Sequence, residues 1–255
     1  MVSIDLSGQV AVVTGGAGEL GRAICRTLSA AGASVAVNYM TSESKALMLV
    51  DEIRLRGGKA ACFQADVTNF EGVEGLRRQI ENEFGTATIV VNNAVVQYVW
   101  KTVLDQDLAD YEGQFQSSVM QNVNMAKVFV PAMIAKGHGG RIIAINTECA
   151  MQNSPSQSAY VAGKRGMDGV LRVLAKEIGE HQITVNQVAP GWTESDKIRS
   201  DSDDPQKEYI QGVPLKRAGT DQDIANVVAF IASPLAAFIT GAYIPVCGGN
   251  VMPTI

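Results

Sequence analysis

The stretch Val10-Ala11-Val12-Val13-Thr14-Gly15-Gly16-Ala17-Gly18-Glu19-Leu20-Gly21 runs an apolar β-branched segment straight into a glycine-rich turn and then into an Ala/Leu/Ile-rich helical segment. Glycine is needed in such a turn because side chains would bar the backbone from a pyrophosphate, whose charge is met by amide N–H groups at a helix N-terminus. A glycine turn alone is weak evidence. Here the strand before it, the helix after it and Asn38 at the end of the next strand together read as a dinucleotide-binding fingerprint.

Outward from this turn, short β-branched runs alternate with longer segments of helical period. Val10-Thr14, Ser34-Asn38, Ala60-Gln64, Ile89-Asn92, Arg141-Asn146, Ile183-Val188 and Tyr243-Val246 read as seven strands separated by six helical stretches, which implies a parallel sheet in an α/β fold. Gly32 and Gly57-Gly58 mark helix stops, and Thr220 with Asp221 and Asp223 marks a helix start. With no repeat, low-complexity tract or linker, residues 1–255 read as one domain. Its cofactor half is about 1–140 and its catalytic half about 141–255. The polar stretch Ser195 to Gly212 follows a strand end, where open α/β sheets place their ligand crevice, and reads either as a lid over 195–212 or as a solvated loop with a short helix.

Composition narrows the function classes. With 46% hydrophobic and 18% charged residues, 25 glycines and 8 prolines, the chain can bury one large core, which excludes disorder, collagen and coiled coil. The net charge is -5 and no basic run exceeds Arg77-Arg78, so nucleic acid is not expected as a partner. Cys25, Cys62, Cys149 and Cys247 lie far apart without a CxxC pair and read as reduced thiols of a cytoplasmic protein. The start MVSIDLSGQV carries no secretory pattern. Val227 to Val246 is uncharged and long enough to span a bilayer, but Pro234 and Gly241 interrupt it, so a buried helix, a turn and a buried strand are expected instead. His138 and His181 have no acid at ligand spacing, and no metal is expected.

Asp66 after the third strand, Asn92-Asn93-Ala94 after the fourth, Tyr160-Val161-Ala162-Gly163-Lys164, and Asn186 followed by Pro190-Gly191 occur in one order. Together with the glycine turn they resemble the short-chain dehydrogenase/reductase family over nearly the whole chain, in the single-domain form similar to 3-oxoacyl-acyl-carrier-protein reductases. The resemblance implies a Rossmann-like doubly wound seven-stranded parallel sheet with helices on both faces, and oxidoreductase chemistry with NADP(H) or NAD(H). It implies that Tyr160 donates the proton, that Lys164 lowers the phenol's pKa from one helical turn away and holds the nicotinamide ribose, and that Thr147, where serine is usual, bonds the substrate oxygen. Cofactor contacts are implied at Gly15, Gly18, Glu19, Leu20, Gly21, Asn38, Tyr39, Thr41, Asp66, Val67, Asn92, Ala94, Pro190, Gly191, Thr193 and Ser195. Family members of this length are usually tetramers, and a homotetramer is expected.

The chain departs from the family's usual Gly at Glu19 and Val95, Asn at Ser118 and Asp at Cys247. Ser118 matters most, because the family's asparagine helps fix a water on the proton path from the lysine; the serine hydroxyl or the backbone carbonyl there is expected to hold the same water. Gln97, Tyr98, Trp100, Glu148, Cys149, Met151, Gln152, Asn153 and Trp192 follow strand ends and are candidates for the substrate pocket. Asn38, Tyr39, Met40, Thr41 and Ser42 bring no carboxylate to the end of the second strand, so NADPH is expected to be preferred over NADH, with Asn38→Asp reversing the preference. Gly18 and Glu19 limit that preference, and Arg22 and Lys45 are the nearest cations in sequence.

Three functions fit. A small ketone or secondary alcohol is favoured as the substrate, because the acyl carrier protein of the second reading is acidic while this chain is net negative and carries Asp201, Asp203 and Asp204 in the lid stretch. The third reading is a non-catalytic nucleotide-binding protein. An epimerase fits less well, since only 91 residues follow Lys164.

Overall fold

The computed structural model describes residues 3–194 and 206–253, with the side chain of Gln206 excepted. Its framework is one sheet of seven parallel strands: β1 (Val10–Val13), β2 (Ser34–Tyr39), β3 (Lys59–Gln64), β4 (Ile89–Asn92), β5 (Gly140–Ile145), β6 (Ile183–Pro190) and β7 (Tyr243–Val246). Their order is β3-β2-β1-β4-β5-β6-β7, the doubly wound arrangement expected from the sequence. The strand order reverses between β1 and β4, where Val13 lies beside Val37 on one side and Val91 on the other. That reversal opens the crevice at the carboxyl ends of the strands.

All four β1 residues are buried because both faces of the sheet are covered. Strand alternation sends Ala11 and Val13 into one core and Val10 and Val12 into the other. The first core takes Ile24 and Leu28 from α1 (Glu19–Ala30), Leu49 and Ile53 from α2 (Glu43–Leu55), and Ile224 and Val228 from α9 (Asp221–Ala232). The second takes Leu76 and Ile80 from α3 (Phe70–Phe84), Met125 and Phe129 from α5 (Gln121–Lys136), and Met167 and Leu171 from α7 (Ser158–Ile178).

The helical stretches are more divided than expected. Between β4 and β5, α4 (Leu108–Gln114) passes into a π-helical segment, Phe115–Met120, before α5 begins. A four-residue helix, α6 (Cys149–Gln152), precedes α7, and α8 (Gln206–Gly212) precedes α9. Residues 195–205 of the expected lid, Ser195 and the acidic Asp201, Asp203 and Asp204 among them, lie outside the described residues; the remainder is α8. The helix start at Thr220 is a capping box, its side chain accepting the Asp223 N–H while Asp223 accepts from the Thr220 N–H. The uncharged stretch from Val227 resolves into the end of α9, a 3-10 turn at Pro234–Ala236 and β7. Among the described residues no helix is long and apolar enough to cross a membrane.

Candidate active site

A cleft of about 830 Å³ lies along the carboxyl ends of the central strands. Its wall runs from the glycine turn past Asn38, Tyr39, Thr41, Asp66 and Val67, then past Ala94 and Gln97, to Thr147, Tyr160, Lys164, Pro190 and Gly191. The turn is fitted for a phosphate group. A Cβ on Gly21 would collide with the Gly15 carbonyl, and one on Gly15, whose φ is +59°, would press on the Ala94 backbone at 3.0 Å. Gly18 is the N-cap of α1 and supplies no side-chain acceptor, so the first amides of the helix are left to a ligand. Glu19 and Leu20 both line the cleft, with Glu19 exposed in the first turn. The cradle and the length of the cleft fit a dinucleotide.

Asn38 has a structural task that its sequence position did not reveal. Its Oδ1 accepts the Gly15 N–H at 3.2 Å and its carbonyl accepts the Gly16 N–H at 2.8 Å, while Nδ2 faces the carbonyls of Phe63 and Ala65 at 3.4 and 3.1 Å. With 2% of its surface exposed, it staples the glycine turn to β2 and β3. Beyond it Met40, Thr41 and Ser42 are exposed at the rim, and the Tyr39 hydroxyl is directed to Glu43. Asp66 is occupied by Thr68, accepting from both its N–H and its hydroxyl.

At the other end, β5 stops at Ile145, which frees Asn146 and Thr147 to turn toward α7. Asn146 accepts the Thr147 N–H at 2.9 Å and donates to the Lys164 carbonyl at 3.3 Å and to Gln187 at 2.7 Å. The Tyr243 hydroxyl donates to the Thr147 carbonyl, which fixes the loop from the β7 side. Thr147 and Tyr160 both line the cleft, and the Thr147 hydroxyl favours the ionised form of the Tyr160 phenol. Tyr160 and Lys164 lie one turn apart on α7, with the ammonium 5.7 Å from the phenol ring centre and donating to the Ile145 carbonyl at 2.6 Å.

Burial decides the protonation of this pair. It pushes the Tyr160 phenol up to about 12, with Cys149 adding to the rise and the Thr147 hydroxyl opposing it. It pushes the Lys164 ammonium down to about 8. Burial is the largest influence on the phenol, and the Lys164 ammonium, beside the ring, donates to the Ile145 carbonyl.

The π-helical segment holds Ser118, which is buried and away from the cleft wall, its hydroxyl without a partner. Its carbonyl accepts from Asn122 Nδ2 at 2.7 Å, and Asn122 Oδ1 accepts from Asn92 Nδ2 at 2.7 Å. Asn92 is thus a buried brace, and the neighbouring Asn93 lines the cleft, donating to the carbonyls of Thr14 and Gly15. Gln121, unremarked in the sequence, accepts from the Thr14 hydroxyl and donates to the carbonyls of Ala94 and Ser117. The repeated Asn92-Asn93 pair was the available signal for the first; nothing in the sequence singled out the second.

Of the candidate substrate residues, Gln97 lines the cleft, and Tyr98 accepts the Tyr160 N–H at 2.8 Å. Trp100 stacks on the Tyr160 ring. Cys149 N–H donates to the Thr147 hydroxyl. Glu148 is buried outside the cleft wall, its carboxylate accepting from Asn250 Nδ2 at 3.0 Å, and burial pushes its carboxyl up. Gln152 and Asn153 are exposed on α6 and its C-cap, and Met151 is half-buried there. Trp192 packs against Tyr209, and Thr193 Oγ1 donates to the Gly191 carbonyl; neither reaches the cleft wall. No group of side chains that could hold a metal occurs among the described residues.

A glycine-cradled cleft ending in a Thr-Tyr-Lys cluster defines a nicotinamide-dependent oxidoreductase class. Residues 15–250 match the family model described as Enoyl-(Acyl carrier protein) reductase. The chain is 36% identical over 252 residues to the 3-oxoacyl-(acyl-carrier-protein) reductase FabG of Staphylococcus epidermidis, covering 95% of this chain and 98% of that protein. It is 37% identical over 251 residues to the protein of the same name from Escherichia coli, covering 98% and 100%. Among solved structures, it superposes with a TM-score of 0.92 on a 7α-hydroxysteroid dehydrogenase complexed with NADH and 7-oxo glycochenodeoxycholic acid, at 30% identity and 99% coverage of both chains. A blue fluorescent protein from a metagenomic library, in complex with NADPH, gives 0.89 at 32% identity and covers 97% of this chain and 100% of that one. The protein belongs to the short-chain dehydrogenase/reductase family and is an oxidoreductase that uses a nicotinamide cofactor.

Proposed function

We propose that the protein interconverts a ketone and a secondary alcohol, preferring NADP(H) and accepting NAD(H). The observation that carries this reading is the convergence of the Thr147 hydroxyl, the Tyr160 phenol and the buried Lys164 at one end of a dinucleotide-sized cleft. When bound, the dinucleotide supplies or removes the hydride. Tyr160, held protonated by burial, gives its proton to the carbonyl oxygen, and Thr147 donates a hydrogen bond to the same oxygen as charge builds on it. Lys164 places a positive charge beside the ring that is left as phenolate. The glycine turn holds the cofactor phosphates.

A second reading, 3-oxoacyl-acyl-carrier-protein reduction, is favoured by the names of the similar proteins. Against it, the segment following Trp100 carries Asp105, Asp107, Asp110 and Glu112, while its one cation, Lys101, is paired with Asp107 at 2.8 Å. An acidic carrier would meet like charge there. NADPH oxidation over a panel of aliphatic and aryl ketones and a 3-oxoacyl thioester separates the readings, and activity on none of them would leave a non-catalytic nucleotide-binding protein. The cysteines, all free, support a cytoplasmic setting. A homotetramer is supported by Phe230, Leu235, Phe238 and Met252, apolar side chains left exposed toward the end of the chain. A monomeric mass in sedimentation at micromolar concentration would refute it.

A further inference from the structure

The connection from β4 to α4 carries an unusual surface. Val96, Val99, Trp100, Val103 and Leu104 are all exposed, five large apolar side chains within nine residues. Such a loop should be mobile, yet its backbone is hooked down. Buried Gln114 donates to the Val96 carbonyl at 2.7 Å. Buried Gln106 donates to the Val99 carbonyl at 3.1 Å and accepts the Lys101 N–H at 2.8 Å. These bonds bracket Trp100. Its indole lies over the Tyr160 ring, centres 6.3 Å apart and planes inclined by 26°. Two residues earlier the Tyr98 hydroxyl takes the Tyr160 N–H. The loop therefore presents an anchored aromatic surface next to the proton-donating phenol, with 48% of Trp100 still exposed; Trp100 itself is not part of the cleft wall, which Val96, four residues earlier, and its stacking partner Tyr160 both line.

Two amide hooks, a stacked indole and an apolar neighbour in the cleft are more than packing requires at a half-exposed site. A tryptophan held this way offers a large flat area with little entropy left to lose on binding. Resting on the ketone-reductase reading, we propose that the free surface of Trp100, with Val96, is the subsite for a planar apolar substituent, so that the substrate class is aryl or ring-bearing ketones. The carbonyl lies at Tyr160 and Thr147, and the ring lies on the indole.

The test compares acetophenone with butanone in the wild type, Trp100→Ala and Trp100→Phe, measuring kcat and KM with NADPH. The expected result is a roughly tenfold rise in the KM for acetophenone relative to that for butanone in Trp100→Ala, with substantial rescue in Trp100→Phe. An equal fall in kcat for both ketones would overturn the subsite and leave Trp100 as a support for Tyr160. Unchanged constants in Trp100→Ala would overturn it as well. Calorimetric titration of acetophenone into the NADPH-loaded protein keeps the two readings apart. Trp100-dependent binding without turnover of any ketone would sink the reductase reading and spare the subsite, whereas binding that ignores Trp100 or fails altogether would sink the subsite.

Discussion

The hydroxyl of Tyr98 accepts the backbone N–H of Tyr160 at 2.8 Å, so a loop side chain caps the helix that carries the proposed proton donor. Helix α7 begins at Ser158 and its N-cap Gln157 makes no side-chain cap. Tyr98 satisfies an amide that this end would otherwise leave open. Tyr98→Phe is expected to cost about 1 kcal/mol of stability and to lower kcat several-fold with cofactor affinity unchanged. Thermal unfolding and steady-state kinetics, run side by side, check both halves.

Tyr160→Phe should cut turnover at least ~100-fold while leaving NADPH binding nearly intact. Thr147→Ser should be tolerated, and Thr147→Ala should cost roughly 2–4 kcal/mol of barrier stabilisation. Equal activity of Thr and Ala at 147 would remove the hydroxyl from the mechanism.

The Asn38 staple changes what its replacement should do. An aspartate keeps the acceptor for Gly15 but loses the amide facing the Phe63 and Ala65 carbonyls, setting a carboxylate against them. Asn38→Asp is therefore expected to destabilise the fold by about 2 kcal/mol or more, and any change in cofactor choice will come with weaker binding of both dinucleotides. The NADPH preference of the wild type, expected at about tenfold, rests on the uncharged rim of Met40, Thr41 and Ser42. A wild-type kcat/KM that favours NADH would refute it.

Lys164 makes stability depend on pH with a defined sign. Its pKa is about 8 in the fold and about 10.4 in an unfolded chain, so between these values the unfolded state binds more protons. The cost of burying this charge is present in full below pH 8 and is relieved as pH rises toward 10.4. Against Lys164→Met, the wild type should gain stability over that window by an amount on the order of a few kcal/mol. Parallel denaturation curves for the two proteins across that range would show that the lysine is not desolvated.

The sheet was legible because a buried parallel strand must be apolar along its whole length, and runs such as Val10–Val13 have little other use. The glycine turn and the Tyr160–Lys164 pair were legible because backbone approach and helical spacing constrain which residues can stand there. The bracing bonds of Asn38 and Asn92 were not legible, for one reason. A buried amide that braces backbone and one that meets a ligand look the same in sequence, and only their partners tell them apart. The π-helical segment escaped notice because it needs one extra residue per turn inside an otherwise ordinary helix, which shifts the periodicity too little to see.

Glu148, next to Thr147, is tied by its carboxyl to Asn250, in the stretch that follows β7. The tail is thus wired to the reacting centre through a single buried acid. Losing the Asn250 side chain would strip a hydrogen bond from a carboxyl one residue away from the hydroxyl proposed to meet the substrate oxygen.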